Sequence, residues 1–212
     1  MMDEQGVRRG QSCATDARQA AQAFHAAVLQ PDMALVVFFC SSEYDLDVLA
    51  AEINRLFVGV QVVGCTAAGE IGPLGYCQHS LTGASFAAGS FVAVSGLLGN
   101  LDKFELTLGY DFTQTLLQRL ESRAPAANPD NSFALLLIDG LSMREEPVAH
   151  ALQYALGKMV LFGGSASGSL QFTQTCVYSE GRFHSNSALL VLVHTSVPFT
   201  IFKTQHFVSS DE

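Results

Sequence analysis

The 212-residue sequence predicts an α/β (α+β) protein with a mixed β-sheet, flanking helices and an internal pseudo-repeat. Three observations carry that prediction. Continuous apolar runs such as ALVVFFC (Ala34 to Cys40) and FALLLIDG (Phe133 to Gly140) have the character of strands buried on both faces. Between such runs lie stretches with apolar residues at helical spacing and short connections, the arrangement of a right-handed crossover between parallel strands. Elsewhere, apolar segments separated only by glycine turns follow one another directly, which adds antiparallel pairs and makes the sheet mixed.

In chain order, DARQAAQAFHAAVL (Asp16 to Leu29) is a first helix, with Thr15 or Asp16 as its cap and Pro31 beyond its end. The strand Ala34 to Cys40 follows, then a helix with Leu46, Leu49, Ile53 and Leu56 on one side, then the strand VQVVGC (Val60 to Cys65). SLTGASFAAG and SFVAVSGLLG (80–99) read as a hairpin. A helix over Phe112 to Ser122 leads to the Pro- and Asn-rich connection APAANPDNS. The second half repeats the opening: strand Phe133 to Gly140, helix from about Arg144 to Lys158, strand VLFGGSAS, and three closing strands near Gln174–Tyr178, Ser187–His194 and Phe199–His206. Val62 to Ile71 and Leu161 to Leu170 are alike in type, each an apolar strand running into a loop of small residues, and they mark the pseudo-repeat. Two such loops at the carboxyl edge of a sheet would lie where open α/β sheets place ligands.

Apolar residues make up 49% of the chain and charged residues 15%, against roughly 25% in ordinary soluble proteins. The deficit implies surface covered by a further domain or a homodimer partner, or built from uncharged polar residues. A net charge of −9, a pI near 5.0 and the lack of a Lys/Arg stripe exclude nucleic acid as a partner. No apolar run approaches the ~20 residues that span a bilayer, and MMDEQGVRRGQS has no signal-peptide core, so no membrane association and a cytoplasmic location are expected. The five cysteines (13, 40, 65, 77 and 176) are odd in number and include no CxxC, so all are expected reduced.

The most distinctive local stretch is Gly64-Cys65-Thr66-Ala67-Ala68-Gly69-Glu70. Small residues let backbone amides approach a ligand, Thr66 adds a hydroxyl, and Glu70 is the nearby charge. The stretch matches no phosphate-binding pattern, and a tight strand-to-helix turn would need the same residues. Gly163, Gly164 and Ser165 form the equivalent stretch in the second half. Cys65 has no local His or Asn and reads as a buried thiol rather than a nucleophile. Ser142, in IDGLS, lacks the GxSxG context of an esterase, and Ser142 or Asp139 reads as the cap of the next helix. The six histidines (25, 79, 150, 184, 194, 206) show no metal-ligand spacing. A haem needs one axial ligand and an apolar pocket; His184, beside Phe183, and His206, near Phe202, have aromatic neighbours suited to a porphyrin edge, or are half-exposed strand histidines.

VVGCTAAGEIGPLGY, IDGLS, LFGGSASGSLQFTQTCVY and GRFHSNSALLVLVHTSVPFTIFKTQHF together resemble the FIST domain family of bacterial sensory modules, in the order the family shows them. The resemblance implies a ligand-binding input domain and not an enzyme. GRFHSNSA and FKTQHF look most like the haem-binding, nitric-oxide-sensing NosP branch. For that branch the resemblance implies haem b held by His184 or His206, nitric oxide as ligand, and a partner histidine kinase or cyclic-di-GMP synthase or phosphodiesterase. The organisation it implies is a flexible N-terminus (1–14), one N-terminal FIST-like sensory domain (15–208) and a short tail (209–212), with the C-terminal FIST portion absent. Two other functions fit the residues. One is a metal-free pocket for an amino-acid-like metabolite, with amides of Gly64–Glu70 and Gly163–Gly168 taking a carboxylate. The other is an enzyme using Cys65, with Glu70 or a distant histidine as base.

Overall fold

A computed structural model describes residues 6–168 and 175–202. Its strands are β1 (Val7–Ser12), β2 (Met33–Ser41), β3 (Gln61–Ala67), β4 (Glu70–Gly72), β5 (Gly75–Cys77), β6 (Leu81–Ala87), β7 (Phe91–Gly99), β8 (Ser132–Asp139), β9 (Val160–Ala166), β10 (Val177–Ser179), β11 (Arg182–His184) and β12 (Ser187–Thr195). Its helices are α1 (Ala17–Val28), α2 (Leu46–Leu56), α3 (Leu106–Arg123) and α4 (Glu145–Leu156). Parallel and antiparallel strands are mixed, as the sequence predicts, but they divide between two large sheets. One has the order β1-β6-β2-β3-β10-β11 and the other β7-β12-β8-β9, with β4-β5 a separate small hairpin.

The central strands of each large sheet, such as β2, β8 and β12, are buried on both faces, which is why they read as unbroken apolar runs. The first sheet packs Val36, Phe38, Cys40 and Tyr178 against Phe24 of α1 and Leu49 and Ile53 of α2. The second packs Ala134, Leu136, Leu190 and Leu192 against Leu116 and Leu120 of α3 and Leu152 of α4. The alternate residues of the same strands, among them Val63, Cys65, Leu137, Leu189 and Val191, face one another between the sheets. The result is four layers, helix–sheet–sheet–helix. Asp16 and Asp45 cap α1 and α2 by accepting the backbone N–H of Gln19 (2.9 Å) and Val48 (3.0 Å).

The pseudo-repeat is real in topology: β2–α2–β3 and β8–α4–β9 are both strand–helix–strand units with parallel pairs. They lie in different sheets, and their carboxyl ends meet where Ser167 N–H donates to the Thr66 carbonyl (3.0 Å). Three expectations change. Residues 7–12, expected within a flexible terminus, form β1 and pair along β6. The segments of 80–99 are strands but not a hairpin, because the chain crosses between sheets at Ala88–Ser90, β6 pairing with β1 and β2 and β7 with β12. Local apolar patterning cannot distinguish these outcomes, since both strands are buried on two faces in either. Phe199–Phe202 is not a strand, and residues 203–206 of that expected element lie outside the described residues.

Candidate functional site

The space between the sheets is filled at its centre but opens into a cleft of about 660 Å³. Its floor is the inner face of the first sheet: Leu35, Val37 and Phe39 of β2 and Thr82, Ala84 and Phe86 of β6. Its roof is Phe133 and Leu135 of β8, Phe162 of β9 and Val193 of β12. Ring contacts stiffen these walls, with Phe133 against Phe162 (5.6 Å) and Phe199 (5.0 Å), and Phe86 against Phe91 (5.1 Å). The mouth is bordered by Phe199–Ile201 and by Ile71, Gly72 and Pro73 of the β4–β5 hairpin.

Gln11 of β1 holds that hairpin in place, donating from Nε2 to the Gly75 carbonyl (3.1 Å) and accepting the Leu74 N–H at Oε1 (2.8 Å). Gly72 leaves room for these side chains: an added Cβ would press on Thr82 Oγ1 and on Gln11 Oε1 and require both to shift. A disulfide between Cys13 and Cys77 ties the end of β5 to the chain just after β1. The expectation that all five cysteines are reduced is corrected here. Positions 13 and 77 lie far apart in sequence without a paired spacing, so only the fold brings them together.

The stretch Gly64–Glu70 lies beside the cleft and packs inward. Gly64 is a strand residue whose added Cβ would sit 2.4 Å from the Phe38 carbonyl oxygen and 2.8 Å from the Phe38 ring. Cys65 faces the inter-sheet core, and burial pushes its thiol up to about 12, so it is not a nucleophile at neutral pH. Thr66 exchanges backbone and hydroxyl bonds with Cys176, its N–H donating to the Cys176 carbonyl (3.0 Å) and its Oγ1 accepting the Cys176 N–H (3.0 Å). Ala67 ends β3. Gly69 makes room for Tyr76, whose hydroxyl is 2.6 Å and whose ring is 2.7 Å from where a Cβ would stand. Glu70, 2% exposed, accepts the N–H (3.1 Å) and hydroxyl (2.8 Å) of Ser80 at Oε2, and burial raises its carboxyl above the ordinary range. These glycines lie against Phe38 and Tyr76, and the acid against Ser80.

Gly163, Gly164 and Ser165 occupy the exposed edge strand β9, beside a smaller groove of about 210 Å³ shared with Glu145 and Ala149. The Ser165 hydroxyl donates to Glu145 Oε1 (3.0 Å). Two of the amides expected to bind a metabolite carboxylate, those of Ala68 and Ser167, are engaged where the two loops meet. Ala68 N–H donates to Ser167 Oγ (3.0 Å) and Ser167 N–H to the Thr66 carbonyl. Asp139 ends β8 and caps the turn after it, accepting the Leu141 N–H (3.0 Å), the Asn186 N–H and the Thr175 hydroxyl.

His184 sits on β11, the edge of the first sheet opposite β1, with Nε2 3.1 Å from the Ser179 carbonyl. His25 meets Phe57, His79 meets Glu43 and Tyr44, and His194 meets Asn131. None of the histidines at 25, 79, 150, 184 and 194 lines the cleft, and His206 lies outside the described residues. The cleft has the apolar character a porphyrin needs, but its described residues supply no axial imidazole and so do not fit haem. Among the described residues no cluster of three or more His, Cys, Asp or Glu could hold a metal ion. Among them also, no helix is long and apolar enough to cross a membrane.

The sequence reading missed the cleft itself. Its lining comes from alternate positions of β2, β6 and β8, and the only local signal is the concentration of phenylalanine at 39, 86, 133, 162 and 199.

Comparison of the sequence with curated proteins finds no match. A model of the FIST N domain family matches residues 34–212, from the start of β2 to the end of the chain. The chain belongs to the FIST N domain family, which comprises sensory ligand-binding domains of signal transduction rather than enzymes.

Proposed function

We propose that this domain senses a small, largely apolar molecule held between its two sheets, and that the cleft's occupancy is read by a signalling partner. One observation carries the reading: about 660 Å³ of apolar, aromatic-walled space stands open between sheets that are otherwise closely packed. That volume falls within the roughly 300–1,000 Å³ of small-molecule sites. A partner can respond only if it binds the occupied and empty forms with different affinity. The parts placed to differ are those at the mouth, the β4–β5 hairpin and Phe199–Phe202, where Ile71, Leu74, Tyr76 and Phe202 are exposed.

The family resemblance supports a histidine kinase or a cyclic-di-GMP synthase or phosphodiesterase as that partner. Haem with nitric oxide as input is the narrower form of the proposal. With the other five histidines away from the cleft, it rests on His206.

Titration with the neutral dye Nile red tests the broad reading, with Val37→Phe as the variant that fills the floor. Saturable fluorescence enhancement that Val37→Phe abolishes while the fold persists is expected. Absence of saturable binding, or indifference to Val37→Phe, overturns it. Hemin titration in the same samples tests the narrower form, since a Soret shift lost in His206→Ala and retained in His184→Ala is its requirement.

A further inference from the structure

We infer that the cleft takes an amphipathic carboxylate, an apolar chain or ring system carrying one anionic group, and that Arg9 binds the anionic end. This rests on the cleft being the ligand site.

Strand register places Arg9 where a charge is unexpected. Gly10, its neighbour on β1, faces α1, because a Cβ there would strike Val28 (2.7 Å) and Ala27 (2.9 Å). Alternation along the strand then turns Arg9 to the other face, toward the second sheet. The ladder agrees: Arg9 pairs with Ala84, which pairs with Val37, and all three line the cleft. Arg9 is thus the outermost residue of a cross-strand row whose inner members form the apolar floor.

Among the described residues it is also the only charged one on the cleft's lining. The chain has 20 acidic residues against 11 basic ones, yet among the described residues no carboxylate lines the cleft. A ligand amine would find no partner there, and a ligand carboxylate would find one. Arg9 is exposed, and among the described residues its side chain makes no hydrogen bond or ion pair, so its guanidinium fork is available for two parallel bonds to a carboxylate. Thr82, two residues along β6 from Ala84, already donates its hydroxyl proton to the Gly10 carbonyl (3.1 Å), so the donors for a ligand carboxylate come from Arg9. The remaining walls, from Phe39 to Phe162, offer mainly apolar surface to the rest of the molecule.

The test uses the whole chain and displacement of Nile red by matched pairs: dodecanoate against dodecanol for an acyl chain, and 2-naphthoate against 2-naphthol for a ring system. The acid of at least one pair should bind about tenfold more tightly than its alcohol, as a partly solvated charge-assisted bond gives. Arg9→Gln should bring that ratio to about one without changing alcohol affinity, and Arg9→Lys should retain part of it. The pair with the larger ratio identifies chain or ring. Equal binding of acid and alcohol by the native protein overturns the assignment while leaving the cleft as a site. So does a preference that survives Arg9→Gln, as it would if the arginine served only to blunt the sheet edge. If neither acids nor alcohols displace a dye that binds saturably, the head-group inference falls. If the dye itself does not bind, the reading of the cleft falls with it.

Discussion

Removing the Cys13–Cys77 disulfide with the double substitution Cys13→Ser/Cys77→Ser should lower global stability measurably. The bonded residues are 64 apart in sequence, so the bond closes a loop covering the first third of the chain. In the chain-entropy account, a loop of that size restricts the unfolded ensemble by about 4 kcal/mol at 25 °C, and typical measured effects are about 2–4 kcal/mol. Cys13 is exposed and Cys77 half-buried, so serine at either place leaves little cavity and the change acts mainly through the unfolded state. Equilibrium urea unfolding of protein purified without reductant should give a midpoint shift matching a loss of about 2–4 kcal/mol. Thiol titration in denaturant should find three reactive groups in the native sequence, Cys40, Cys65 and Cys176. Five reactive thiols without reductant, or superimposable unfolding curves, would refute the bond. The Gln11 contacts persist in the variant, so the hairpin should stay docked and dye binding should survive.

Gly64→Ala should destabilise by about 1–3 kcal/mol in the same urea assay, because its Cβ collides with the Phe38 backbone as well as its ring. Glu70→Gln should gain on the native protein as pH rises. Burial raises the folded-state pKa of Glu70, so its contribution to stability is full below the unfolded value of about 4.3 and is lost as pH climbs through the folded value. Within that window the native curve should fall relative to the variant by up to about 1.4 kcal/mol per pH unit, and parallel pH–stability curves would contradict the burial argument. Iodoacetamide at pH 8 should leave Cys65 unmodified in the folded protein, as a thiol pushed up to about 12 requires, and mass spectrometry of the digest reads the result.

Much of the fold was legible because local rules and burial agree along most of this chain. Asp16 before α1, the period of Leu49 and Ile53 in α2, and the runs of β2 and β8 each signal an element that tertiary contacts do not override. The pairing of those elements was less legible. Residues of β6 and β7 look alike in sequence because each is apolar on both sides, and only the competition between sheets decides that they separate. β1, with VRRGQS, has no apolar run; its place comes from the long β6 ladder and from packing of Gly10 on α1.

For the candidate site, the glycine-rich stretch Gly64–Glu70 lies within the region matched to the family but does not line the cleft. Gly64 and Gly69 are small to accommodate Phe38 and Tyr76, and a backbone-lined site would use the same residues, so sequence alone cannot separate the two causes. Arg9 was invisible for the opposite reason. A single arginine near a terminus carries no pattern until the register of β1 against β6 and β2 shows which way it faces.

The opening between the sheets also makes ligand and protein interior hard to tell apart. Elsewhere in this molecule Leu137, Leu189 and Val63 keep the two sheets at their spacing; in the cleft that task is left to whatever enters. A bound molecule would act as an interchangeable core side chain, and its fit would appear directly as folding stability, at about 2.7 kcal/mol for a ligand present at 100 times its Kd. Melting temperature would then be a quantitative readout of signal concentration.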